Sequence, residues 1–193
     1  SFANLSADGR YVAFYSAATN LVAGDTNGMN DVFVHDRQTG TTTRVSVASG
    51  GTQANGNSAN PFLSADGRYV AFESSASNLV AGDNNTASDV FVHDRQTGAT
   101  ARVSLTSGGI EGNGYCYNAH LSADGRWVAF NSGSTNLVAG DDNNNHDVFV
   151  HDRQTGTITR ASVASDGAQA DGSSYRPVLS ADGRFVAFYS TAT

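Results

Sequence analysis

The hexapeptide Leu-Ser-Ala-Asp-Gly-Arg begins at Leu5, Leu63, Leu121 and Leu179, so the 193-residue chain repeats itself every 58 residues. A strict period of this length calls for one supersecondary unit per repeat, each unit burying its apolar surface against its neighbours. The chain holds three full periods, and its last 19 residues repeat its first 19. One repeat domain over residues 1–193 is expected, with units near 1–58, 59–116 and 117–174 and a partial unit at 175–193.

Within the second copy, four runs read as strands: Pro61 to Ser64, Arg68 to Ser74, Asp89 to Asp94 and Thr100 to Leu105. In the second run Val70 and Phe72 face one way and Tyr69 and Ala71 the other. Neither side is strongly polar, so both faces of the sheet are expected to be covered. The first and second runs join through Ala65-Asp66-Gly67, and the third and fourth through Arg95 to Gly98, short loops whose glycine supplies the positive φ that hairpins need. The other two connections are long. In an antiparallel meander these long loops emerge together on one face, and the tight turns on the opposite face.

Four-stranded antiparallel units at a fixed period are the blades of a β-propeller, which protects its sheet edges by radial repetition. The pattern LSADGRYVAF, then DVFVHDRQTG, then TRVSV resembles the TolB-like (WD40-like) propeller blade over the whole chain. The resemblance implies an all-β fold of three blades plus an extra hairpin. Ala7, Ala65, Ala123 and Ala181 stand where that family usually has proline, and the loop between the second and third strands is markedly longer here. Three blades cannot close a ring, because propellers typically need four to eight. Either the chain is an excerpt of a longer propeller, the favoured expectation, or copies form a homo-oligomer that completes one. The Ser180 to Ser190 hairpin would be available for exchange.

The long loops carry the most suggestive chemistry. Each has Asp, then Asn two positions on, then Asp four further: Asp25, Asn27 and Asp31; Asp83, Asn85 and Asp89; Asp141, Asn143 and Asp147. Short oxygen-bearing side chains at such spacing are what calcium requires, since six to eight oxygens must converge on it. Calcium is the expected cofactor. An EF-hand is excluded, because Asp36 lies at the far end of a strand rising about 3.3 Å per residue. A site would be completed by carbonyls, water, or Asn55, Asn113 and Asp171 of the neighbouring long loops. The competing reading is that these side chains form Asx-turns that need no metal.

Other clusters read as structural. His35, His93 and His151 beside Asp36, Asp94 and Asp152 recur in every unit, whereas a catalytic centre breaks repeat symmetry; the arginine that follows each Asp is expected to be solvated. Ser6, Ser64, Ser122 and Ser180 cap turns, and there is no GxSxG elbow. Leu21, Leu79 and Leu137, with Val22, Val80 and Val138, should anchor the long loops. Trp127 is expected in the core, and His146 as a solvent-exposed substitution. Tyr115 and Tyr117, which do not recur in every copy, can either stack on a sugar ring or pack on the next blade. Cys116, alone, makes no internal disulfide.

The formal charge of −7, with 11 basic residues against 18 acidic, argues against nucleic acid, whose binding needs clustered cations. No apolar run is long enough for a helical membrane span. Few charged residues and abundant Gly, Ser, Thr and Asn suit an extracellular or periplasmic protein. The sequence therefore predicts a non-enzymatic binding module with a glycan or protein partner on its loop-rich face. The alternatives are a ligand-free assembly scaffold and a propeller that accompanies a hydrolase domain.

Overall fold

The computed structural model describes residues 3–193 and is all β. Three four-stranded antiparallel sheets form in chain order: β1 (Asn4–Leu5), β2 (Tyr11–Ser16), β3 (Asp31–Asp36) and β4 (Thr41–Arg44); β5 (Ser58–Leu63), β6 (Tyr69–Ser74), β7 (Asp89–Asp94) and β8 (Ala99–Arg102); β9 (Cys116–Leu121), β10 (Trp127–Ser132), β11 (Asp147–Asp152) and β12 (Thr157–Arg160). A hairpin of β13 (Ser174–Leu179) and β14 (Val186–Ser190) follows. Registers repeat between sheets: Tyr11 lies opposite Asp36, Tyr69 opposite Asp94, and Trp127 opposite Asp152.

The first strands of successive sheets pack beside one another, β1 on β5, β5 on β9 and β9 on β13, which identifies them as the inner strands around the axis. β5, β9 and β13 each begin three residues earlier than the alternation of the sequence suggests, because a bulge interrupts the pairing with the second strand. The residues that cause the irregularity, Asn60, Asn118 and Arg176, hold φ near +50°. At the tight-turn face a backbone ladder binds the blades: Ala7 N–H donates to Ala65, Ala65 to Ala123, and Ala123 to Ala181.

Both faces of β6 and β10 are covered, as alternation within β6 implies. Val70 and Phe72 join Val32, Val34, Leu63 and Phe91 between the first two blades, while Ala71 joins Val90, Val92, Leu121, Val128 and Phe149 between the second and third. At about 25 cal/mol per Å² of apolar surface removed from water, these layers are the main force stacking the blades.

The turn motif supplies polar staples. Ser6 Oγ donates to Asp8 and accepts from the Tyr11 N–H, with the same pattern at Ser64, Ser122 and Ser180. Arg10, Arg68 and Arg126 form forked ion pairs with Asp36, Asp94 and Asp152 at 2.6–2.9 Å, which hold those carboxyls well below the usual carboxylate range.

Two expectations fail here. Of the arginines after these Asp residues Arg37 is exposed, but Arg95 and Arg153 are not simply solvated: Arg95 lies 4.2 Å over the Tyr11 ring and Arg153 4.4 Å over Tyr69, each also donating to a turn carbonyl of its own blade. Cation–π attraction across the blade boundary holds them there. Trp127 is half-buried rather than core, packed against Gly183 and Arg126 at that same boundary.

Candidate functional site

The loops between second and third strands (17–30, 75–88 and 133–146) and those between blades lie on one face and bond to each other. Asn55 pairs with Ser77 and Asn78, and Asn113 with Thr135 and Asn136. Leu79 and Leu137 are buried beneath them, so the loops are anchored in the second and third blades.

Within each long loop the paired carboxylates do converge, around an arginine. Arg44 Nη1 lies 3.3 Å from Asp25 and 3.5 Å from Asp31. Arg102 lies 3.2 Å from Asp83, 3.3 Å from Asp89 and 2.8 Å from Glu111. Arg160 lies 3.4 Å from Asp141 and 3.7 Å from Asp147. The second carboxylate of each pair is fully buried and also accepts a 2.5 Å bond from Ser46, Ser104 or Ser162. Burial raises Asp83, Asp89 and Asp141 above the usual carboxylate range, opposed by the neighbouring guanidinium.

The asparagine of each triplet points its amide nitrogen at the second Asp and at a carbonyl of the next loop, while its oxygen accepts a backbone N–H two residues on, an Asx-turn. As placed, each triplet offers two carboxylates and a bound guanidinium, short of the six to eight oxygens calcium takes. Among the described residues no group of three or more His, Cys, Asp or Glu side chains is set to hold a metal ion. Asn55, Asn113 and Asp171 face the following blade and do not join these clusters. Arg44, Arg102 and Arg160 escape sequence reading because they stand 13 residues beyond the second Asp, on the fourth strand. Only the strand register, Phe33 opposite Arg44, brings them back to the loop.

A different constellation lies at the inner strands' loop-side ends. Tyr115 and Tyr117 stack with centroids 6.0 Å apart and planes 2° apart; Tyr117 meets His146 at 6.5 Å, His146 meets Tyr175 at 5.2 Å, and Tyr175 meets Tyr189 at 5.4 Å. Five rings thus form one row, open to solvent at its ends, where Tyr115 is 54% and Tyr189 53% exposed. His146 is half-buried within the row rather than solvent-exposed, and its Nδ1 has no hydrogen-bond partner.

The row is confined to one part of the ring. One period before Tyr115, Tyr117 and His146 stand Asn57, Ala59 and Ser88. Along the inner strands the repeating Leu63, Leu121 and Leu179 are buried between blades, whereas two positions that change are half-buried or exposed: Asn60, Asn118 and Arg176; Phe62, His120 and Val178. The second strands add Tyr15, Glu73, Asn131 and Tyr189 at one such position. Sequence reading singled out Tyr115 and Tyr117 but missed that Tyr175, Tyr189 and His146 join them, since these come from three different segments.

Polar side chains continue the same surface. Glu73 accepts from Asn60 and from the Asn118 N–H, and burial pushes its carboxyl up. Asn131 accepts from Asn118 and from the Arg176 N–H. His120 stacks on Phe62 at 3.8 Å and accepts from the Leu179 N–H, and burial lowers its pKa to about 4.

No family model and no curated protein matches the sequence. Solved structures do match the fold. TolB from Acinetobacter baumannii superposes with a TM-score of 0.56 at 20% identity, covering 96% of this chain and 36% of that one. A TolB-type protein from Agrobacterium tumefaciens gives 0.58 at 16% identity, over 98% and 58%. An oligogalacturonate lyase, solved in complex with manganese, gives 0.59 at 12% identity, over 96% and 45%. The chain spans between 36% and 58% of the length of these three. The fold is that of the TolB-like β-propellers, and the oligogalacturonate lyase shares it.

Proposed function

From this propeller scaffold we propose a non-catalytic binding module whose ligand is a glycan, held on the loop-rich face along the row from Tyr115 to Tyr189. The single observation that carries this reading is the row itself: five aromatic rings in sequence, one pair stacked and the others tilted by 31–34°, assembled where the repeat departs from its own pattern. Tyrosine offers a large rigid apolar face with a polar tip, suited to the C–H face and hydroxyl rim of a pyranose. Two χ angles per ring keep the ordering cost of binding low. Centroid spacings of 5.2–6.5 Å suit successive rings of an oligosaccharide. An outward-facing location, extracellular or periplasmic, agrees with this ligand and with the composition.

Affinity electrophoresis through polysaccharide gels, followed by calorimetry on whichever glycan retards the chain, tests the reading. The Tyr117→Ala, Tyr175→Ala double variant should lose about 100-fold in affinity, at about 1.4 kcal/mol per tenfold step. Retention by no glycan, or retention unaffected by the double variant, overturns it and leaves a protein partner, or a scaffold that binds no ligand, as the better account.

Calcium is a second reading of the long loops. It would have to displace Arg44, Arg102 or Arg160 from between the carboxylates and turn Asn27, Asn85 or Asn143 about. A melt in calcium against chelator, with magnesium as control, tests it: a calcium-specific rise lost in the Asp25→Ala, Asp83→Ala, Asp141→Ala variant supports a metal site, and no shift leaves the loops held by their arginines.

A further inference from the structure

The chain has 11 basic residues, all of them arginine. Arg10, Arg44, Arg68, Arg102, Arg126 and Arg160 are in ion pairs. Arg37, Arg95 and Arg153 donate to turn carbonyls, and Arg184 lies over Phe185. Among the described residues Arg176 alone has a guanidinium with no hydrogen bond, ion pair or ring contact. It is exposed, and it sits on β13 directly after Tyr175 of the aromatic row.

Its backbone makes the placement unusual. Arg176 holds φ +49°, the left-handed region that asparagine tolerates and arginine does not favour. The counterparts in the two preceding blades are asparagines, and each uses its side chain: Asn60 donates to Glu73, and Asn118 to Asn131. At the position equivalent to Glu73 and Asn131 the third partner is Tyr189, a member of the row. The final hairpin therefore carries a strained arginine with no intramolecular return, the kind of outlier that points to function.

The backbone of Arg176 is tied to a buried amide. The Arg176 N–H reaches Asn131 Oδ1 at 3.4 Å, and the same oxygen accepts from Asn118 at 2.8 Å. These two bonds fix the orientation of the amide, and its Nδ2 is buried with no partner in a residue only 1% exposed. A buried amide donor left unpaired is costly unless something accepts from it.

We propose that the free guanidinium of Arg176 forms an anion subsite for the carboxylate of an acidic sugar, a uronate whose neighbouring rings lie on the tyrosine row. This rests on the glycan reading above and adds the ligand's charge. Arginine suits a planar carboxylate because its fork presents paired donors. In a chain of net charge −7 the discrimination is local: one free guanidinium beside a row of rings.

The test is calorimetry at fixed ionic strength with two matched pairs of oligosaccharides: cello-oligosaccharide against its uronate counterpart, and oligogalacturonide against its methyl ester. Each pair shares ring geometry and differs in free carboxylate. Wild-type protein should prefer the carboxylate form by at least tenfold in one pair. Arg176→Asn, which restores the residue of the other two blades and relieves the strained φ, should remove that preference, keep the affinity for the neutral form and melt no lower than wild type. Asn131→Asp, which puts a negative charge beside the site, should reverse the preference. A preference that survives Arg176→Asn, or equal binding of charged and neutral forms that the Tyr117→Ala, Tyr175→Ala variant abolishes, overturns the anion subsite and leaves the row standing. Binding of neither pair overturns both.

Discussion

Replacing Arg102 by methionine tests what holds the long loops. The change keeps most of the stem volume and deletes the charge that lies 3.2 Å from Asp83, 3.3 Å from Asp89 and 2.8 Å from Glu111. Asp89 is fully buried, so the variant leaves carboxylates without a counter-charge in a site that water does not reach. Breaking a buried ion pair from one side costs about 3–5 kcal/mol, which for a chain of this size lowers Tm by roughly 6–20 °C. The loss depends on pH. Burial already raises Asp83 and Asp89, and removing the guanidinium raises them further. A carboxyl with a raised folded-state pKa contributes its full stability below the unfolded value and loses it as pH rises through the folded one. The difference between wild type and variant should therefore be small near pH 4 and grow toward pH 7. Denaturant melts across that range measure it. Calcium should partly rescue the variant, which has three free carboxylates, by up to about 2.7 kcal/mol at a hundredfold excess over the dissociation constant. A loss below about 0.5 kcal/mol, within the scatter of ordinary surface substitutions, that does not change with pH would refute the reasoning.

Two further outcomes follow from the blade boundaries and the axis. A methyl group at Gly67 would run into the Tyr11 ring, at a residue whose φ of +72° already resists a side chain; Gly67→Ala should cost about 1–3 kcal/mol, and combining it with Tyr11→Ala should cost less than the sum if the ring is the obstacle. His120, held by burial at a pKa of about 4, contributes stability that is present above its unfolded value near 6.5 and lost as pH falls toward about 4. The ceiling is about 3 kcal/mol at 1.36 kcal/mol per unit. His120→Phe, which copies Phe62 of the preceding blade, should flatten that part of the stability profile, and an unchanged profile would remove the histidine from the account.

The fold was legible because the 58-residue period repeats every local signal together: the Ser-Ala-Asp-Gly turn, the Val-Ala-Phe strand and the Asp-Val-Phe-Val-His-Asp strand. Asp89 to Asp94 was placed to the residue, since its ends are fixed by a loop on one side and a turn on the other. The inner strands were cut short by the unexpected left-handed residue at Asn60, Asn118 and Arg176, which alternation cannot register. In the long loops the sequence shows the Asp and Asn residues of each triplet, and the structure adds an arginine of the same chain between the two carboxylates. Its source on the fourth strand becomes visible only through cross-strand register. Two of the five rings of the aromatic row, Tyr115 and Tyr117, stand out in the sequence. The other rings were assigned to separate segments, because pairing across β9, β13 and β14 is what makes them neighbours.

The central claim is that ligand binds where the repeat breaks, on the row from Tyr115 to Tyr189, and not on the loops that all blades share. Chemical-shift mapping of the isotopically labelled chain against a retained glycan tests this most directly. The account predicts shifts concentrated at Tyr115, Tyr117, His146, Tyr175, Arg176 and Tyr189, with Asn57, Ala59 and Ser88 of the earlier copies unmoved. Equal shifts at the equivalent positions of every blade, or shifts centred on Asp25, Asp83 and Asp141, would contradict it.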